Sequence, residues 1–253
     1  VSSLFFLDEL GDLPHQVGDV VTLSGDEARH AATVNRMRVG EHTAIGDGSG
    51  LVVQGIVTRV EPKLLELVVE TSHVHPEPTP RVVLVQALAK GDRDELAIQA
   101  ATELGASGVV PWQAERSISR WSGPKVAKGV ERWSSIVREA AKQSIRPFVP
   151  AVGDLVDSRE LARLAGEHRM LVLEPTAELR LTEVELAARG SEDSLDDRPI
   201  LLVVGPEGGI SPRELEQLGD AGAQPVRLGH EVLRTSSAGP AALAVVNVAL
   251  GRW

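Results

Sequence analysis

Hydrophobic and polar positions follow two different rhythms along the chain. Over the first seventy residues they fall into short, β-rich runs at Leu4–Leu7, Asp19–Leu23, around Thr43–Ile45, Leu51–Val53, Ile56–Val60 and Leu64–Val69. Turn residues separate them, with Asp47-Gly48-Ser49-Gly50 and Glu61-Pro62-Lys63 as the clearest breaks. One helix interrupts this pattern. Ser24 and Glu27 have capping-box spacing, and Gly40 is placed to stop the helix. Short strands with a single helix predict a small barrel-like domain over residues 1–72. Residues 73–80 carry prolines at 76, 78 and 80, which suits neither a central strand nor a helix, so a stiff linker is expected there. His73 and His75 in that stretch lack further ligands at metal-site spacing, which leaves them as solvated linker residues.

From residue 81 to 253 strands alternate with helices. Arg81–Ala87, Gly108–Trp112, Leu171–Leu173, Ile200–Val204 and Pro225–Leu228 read as strands, the first apolar enough to be buried on both faces. A helix runs from Asp92 to Leu104 and ends at Gly105. A longer one from Lys125 to Ser144 places Val126, Val130, Trp133, Val137, Ala140 and Ser144 at helical spacing. Ser211-Pro212-Arg213-Glu214 joins a capping box to a proline at the first helical position. An apolar helix from about Ala238 to Leu250 closes the chain, with Ser236 or Ser237 as its expected cap. Such alternation predicts an α/β domain with a mostly parallel sheet. An acidic stretch between Glu178 and Asp197 is expected to be a solvated excursion.

Composition narrows the function classes. The 253 residues contain no cysteine, so neither a disulfide framework nor thiolate chemistry is expected, and a cytoplasmic setting is. No stretch approaches the roughly 18–20 apolar residues of a membrane span, and Asp8 comes too early for a secretory signal. A net charge of -10 argues against general binding to polyanions. Aromatic residues at 3% argue against base stacking as a main strategy. A nucleic-acid surface would therefore be a local basic patch. Eight basic residues against two acidic ones between Arg116 and Arg146 supply such a patch. Arg116, Lys128, Arg132, Lys142 and Arg146 are its candidate contacts, with Lys128, Arg132 and Lys142 expected to face outward; Arg29, Arg36 and Arg38 form a smaller cluster in the barrel half.

Candidate chemistry lies where strands end, since parallel α/β sheets bind ligands at the carboxyl ends of their strands. Gly205-Pro206-Glu207-Gly208-Gly209 follows one strand. It is neither a Walker loop nor a dinucleotide fingerprint, yet glycine there permits close approach of a ligand to the backbone. Leu228-Gly229-His230-Glu231-Val232-Leu233-Arg234-Thr235 follows another, and a loop guanidinium such as Arg234 suits an anion or carbonyl. Leu173 and Glu174 end a third strand.

The paired stretches LVVGPEGGIS and LGHEVLRTSSA resemble the C-terminal motifs of the ribosomal RNA small-subunit methyltransferase E family, of the SPOUT class. NRMRVGEHTAIGDGSG, QALAKGDRDELAIQAATELG and REAAKQSIRPFVP resemble the family in the same order, so the likeness spans nearly the whole chain. His230 and Gly239-Pro240 depart from its usual pattern. The resemblance implies a PUA-like barrel, an α/β domain with a trefoil knot, and a homodimer that uses S-adenosylmethionine and no metal. It implies methylation of uridine N3 in 16S rRNA of the small subunit. Leu173, Glu174, Gly205, Pro206, Glu207, Gly208, Gly209, Leu228, Gly229, Leu233, Thr235 and Ser236 would then form the cofactor site. Arg234 would favour the deprotonated uracil. Glu207 would be either a general base or a strut for its loop. The rival reading is a non-enzymatic RNA-binding module, which gives the two glycine-bearing loops no task.

Overall fold

The computed structural model describes residues 3–11, 14–186 and 198–253. Most of the expected acidic excursion, residues 187–197, lies outside them. The chain divides into two units, residues 1–77 with 141–149 and residues 78–140 with 150–253.

In the first unit β1 (Leu4–Phe6), β2 (Val20–Ser24), the short helix α1 (Gly25–Arg29), β3 (His42–Gly46), β4 (Leu51–Glu61) and β5 (Leu64–Val74) build one sheet in the order β1-β3-β4-β5-β2. Only β1 and β3 pair in parallel. Leu23, Ile45, Val53, Leu65 and Leu67 form the centre of its core. The two runs around Leu51 and Ile56 are one strand, not two. The register slips between Gln54 and Gly55, and a Cβ on Gly55 would fall 1.9 Å from Val68 O, so the apparent break is a glycine bulge in continuous pairing. Helix α1 is shorter than expected. It passes through a wider π-type turn, His30–Val34, and stops well before Gly40 because Arg36 takes a left-handed φ of 52°. Ser24 precedes it without a side-chain capping bond. His73 and Val74, expected in the linker, pair with Val52 and Leu51; strand β5 ends only where the prolines begin.

Residues 141–149 belong with this first unit. Ala141 and Val149 pack with Leu4, Phe6, Ala44 and Val52. The Asp47–Gly50 turn receives the segment, with Gly50 N donating to Pro147 O and Val149 N donating to Gly48 O. Lys142, expected to face solvent, is instead buried here and donates from Nζ to Glu27 Oε1 at 2.9 Å. Its periodicity fails because Ala140, Ala141 and Lys142 are all buried in succession. Breaking a buried pair strands the remaining charge, so Lys142→Ala should cost about 3 kcal/mol of stability, at the low end because Glu27 keeps some water contact. Urea unfolding of the variant checks this value; an unchanged midpoint would return Lys142 to the surface.

The second unit contains β6 (Val82–Ala87), α2 (Arg93–Glu103), β7 (Gly108–Trp112), most of α3 (Pro124–Gln143), β8 (Ala151–Val152), α4 (Ser158–Ala165), β9 (Arg169–Leu173), β10 (Ile200–Val204), α5 (Pro212–Asp220), β11 (Gln224–Val226) and α6 (Thr235–Ala249). Its six strands are all parallel, in the order β11-β9-β10-β6-β7-β8. Strand β10, buried at all five positions, runs through the middle. The Ser211–Glu214 capping box forms as the sequence predicts.

The last helix differs from expectation. It begins at Thr235, with Arg234 at the capping position and no side-chain cap, so Ser236 and Ser237 are inside its first turn. Pro240 consequently lies in the second turn, where it denies Ser236 O its usual helical donor. Gly239 has a packing reason: a Cβ there would come 2.7 Å from Leu84 Cδ1, so glycine lets α6 lie close on the sheet. Among the described residues no helix is long and apolar enough to cross a membrane.

Candidate functional site

Because β11, β9 and β10 are neighbours, the loops that follow them converge at one end of the sheet. They enclose a cavity of about 470 Å³. Every residue of the cofactor set that the sequence singled out lines it, except Gly208 and Ser236. Leu173 and Glu174 come from the end of β9. Gly205, Pro206, Glu207 and Gly209 follow β10, and Leu228, Gly229, Leu233, Arg234 and Thr235 follow β11. The two main loops are joined directly, since Thr235 Oγ1 donates to Gly205 O at 2.8 Å. Ser236 lies in the first turn of α6 and does not line the cavity.

Gly208 belongs to the outer side of its loop. Arg116 Nη1 donates to Gly208 O at 3.1 Å, and a Cβ on Gly208 would lie 3.3 Å from Arg116 Cβ. Gly209 needs its glycine for a different reason, a φ of 71°. Sequence reasoning also missed residues on the wall. Ile210 and Ala238 lie inside the two quoted motifs but were left out of the candidate set. Arg93 comes from the distant helix α2, within the QALAKGDRDELAIQAATELG stretch, and was not assigned to the site.

Three carboxylates and three guanidinium groups line the cavity. Arg93 Nη1 meets Glu207 Oε1 at 2.6 Å, and the same oxygen accepts Lys90 N at 3.0 Å. Burial pushes the Glu207 carboxyl up, but bonds from its own N–H, Arg93 and Lys90 outweigh this and hold it below the usual carboxylate value. A carboxylate so engaged is a poor proton acceptor. Of the two roles the sequence allowed Glu207, this engagement favours the loop strut over the general base. Arg227 donates to the carbonyls of Ala177 and Glu178. Glu174 Oε1 accepts from Thr176 N and Oγ1. Among the described residues the exposed Arg234 side chain has neither a hydrogen bond nor an ion pair, which leaves its charge available at the cavity rim.

The basic candidates for RNA separate into three groups. Arg29, Arg36, Arg38 and Lys128 are exposed and, among the described residues, unpaired at their side chains. Arg116 and Arg132 are exposed but engaged, the first with Gly208 O and the second with Glu95 at 2.8 Å. Lys142 and Arg146 are withdrawn from solvent, and burial lowers the Arg146 pKa to about 10. The expected outward row on α3 therefore reduces to its first half.

A curated Mycobacterium bovis protein named ribosomal RNA small subunit methyltransferase E is 42% identical over 258 residues, covering 100% of this chain and 94% of that protein. The chain belongs to this family. Its Bacillus subtilis member is 30% identical over 227 residues, 89% of each chain. Residues 75–247 match the family model described as an RNA methyltransferase domain, and residues 23–70 match an RNA methyltransferase PUA domain. The crystal structure of the Neisseria gonorrhoeae methyltransferase E, described as bound to S-adenosyl methionine, superposes with a TM-score of 0.83 at 30% identity over 98% of both chains. The PUA-domain match lies inside the first unit, and the methyltransferase-domain match covers most of the second, α/β unit.

Proposed function

We propose that this chain is an S-adenosylmethionine-dependent methyltransferase that modifies N3 of a uridine in 16S rRNA of the small ribosomal subunit, acting as a homodimer in the cytoplasm. The observation that carries this reading is the cavity made where the Gly205–Gly209 and Leu228–Thr235 loops are tied together, in a chain of this family. The cavity suits the cofactor. Its volume lies within the range of roughly 300–1,000 Å³ typical of small-molecule sites. Leu173, Ile210 and Leu228 offer apolar surface, and the peptide groups of both loops offer donors and acceptors for an adenine edge. Glu174 and Glu231 place negative charge beside a ligand that carries a sulfonium and an ammonium.

When bound, S-adenosylmethionine supplies an electrophilic methyl group. The chain's own residues must hold the acceptor in line and lower the cost of removing the N3 proton of a neutral uridine. Arg234, with its unpaired guanidinium at the rim, would stabilise the uracil anion. Glu207, bound to Arg93 and Lys90 N, would keep the glycine loop in shape. Arg29, Arg36, Arg38 and Lys128 are the cations left free to meet RNA phosphates. Incubating the protein and S-adenosylmethionine with undermethylated small subunits, then mapping the RNA by mass spectrometry, should reveal one added methyl on a uracil base. A methyl on ribose, or on another base, would overturn the assigned position. Absence of any transfer or cofactor binding would favour the non-enzymatic module.

A further inference from the structure

We infer that Gln86, outside the cavity and absent from both loop motifs, is a positioning residue that holds the two loops in register; the inference rests on the methyltransferase reading above. Gln86 sits next to the carboxyl end of β6, opposite Val204 of β10, and is fully buried. Its Nε2 donates to Thr235 Oγ1 at 2.8 Å and to Ala87 O at 3.1 Å. Thr235 Oγ1 in turn donates to Gly205 O at 2.8 Å.

The direction of this chain is fixed by chemistry. Gly205 O can only accept, so the single hydroxyl proton of Thr235 must point to it. The hydroxyl can then only accept from Gln86, which requires the amide NH₂ rather than the carbonyl to face Thr235. A flipped amide would set two acceptors against each other. The arrangement leaves Gln86 Oε1 buried without a partner among the described residues, a cost usually avoided in a core. A core position that needed only bulk would be filled by an apolar side chain of the same length. The polar chain instead joins three neighbouring segments: the end of β6, the first residue after β10, and the first helical residue of α6. Thr235 directly follows Arg234, so the same hydroxyl that ties Gly205 also sets where the unpaired guanidinium leaves the backbone.

The experiment uses the full-length protein, calorimetry with S-adenosylmethionine, and single-turnover methylation of undermethylated small subunits. Gln86→Met keeps length and volume but cannot donate. Thr235→Val keeps shape but loses the hydroxyl, and Thr235→Ser restores it. Gln86→Met and Thr235→Val should each weaken cofactor affinity by about tenfold, the scale of one buried hydrogen bond lost with a partner stranded. The double variant should bind no worse than about twofold below Thr235→Val, because both substitutions break one chain. Thr235→Ser should recover most of the loss in both affinity and rate. A role in packing alone would lower the melting temperature additively and leave affinity within twofold of the parent, which would overturn the inference. If Gln86→Met fails to fold, the contrast of Thr235→Val with Thr235→Ser still decides, since equal affinities in that pair refute the chain. Failure of the unmodified protein to bind S-adenosylmethionine would instead defeat the methyltransferase reading itself.

Discussion

Replacing Arg234 by alanine should slow single-turnover methylation of small subunits by about 10²–10³-fold, the usual scale for removing one electrostatic stabiliser of a developing anion. Affinity for S-adenosylmethionine should change by no more than a few-fold. The split follows from the position of the side chain. Arg234 contributes to the cavity rim, but its charge is committed to no group of the protein, so its loss leaves both loops tied through Thr235 and Gly205. What disappears is a fixed positive charge next to a base that must give up a proton before it can attack. The pH dependence gives an independent readout. Without the guanidinium the uracil must ionise unaided, so the variant's rate should climb with pH over a range in which the parent has levelled off. Equal losses in affinity and rate would mean that Arg234 holds the cofactor loop rather than the acceptor.

Most of the second unit was legible in the sequence because its elements advertise themselves locally. Strand β10 is an unbroken apolar run, α5 opens on a capping box with proline at its first position, and both glycine-bearing loops directly follow strands. Convergence of those loops was expected from the family resemblance rather than from local pattern. It depends on the order β11-β9-β10, which no residue encodes by itself. Other features were invisible because they are decided at long range. The Gln86–Thr235 bond spans 149 positions and the Arg93–Glu207 pair 114, so neither has a spacing to recognise. Periodicity along α3 placed Lys142 outward, but near Ala141 the chain joins the first unit and a new set of neighbours buries it. Gly55 shows the opposite error. A glycine among β-rich residues looked like a gap between strands, whereas the close approach of Val68 O requires it inside one.

The glycines of the cofactor loop offer the sharpest test of where the cavity wall lies. Gly205→Val should weaken S-adenosylmethionine binding by about 10–100-fold, corresponding to the 1–3 kcal/mol typical of overpacking a core. A Cβ at position 205 would fall 2.6 Å from Ile210 Cγ1 and 3.4 Å from Ile210 N. Ile210 is nearly buried and also faces the cavity, so it can make room only by moving into the space a ligand would occupy or by pushing the loop from Thr235. Gly208, three positions further along in the same motif, behaves differently. Its φ is not in the left-handed region, and its added Cβ would lie 3.3 Å from Arg116 Cβ and 3.6 Å from Arg116 O, a tight contact with a neighbouring segment rather than with the cavity. Gly208→Ala should therefore reduce affinity by at most a few-fold, although both residues belong to the same glycine-rich turn. Calorimetry on the two variants separates them. Comparable losses would place Gly208 on the binding surface, and an unaltered affinity for Gly205→Val would move the cofactor away from the junction of the two loops.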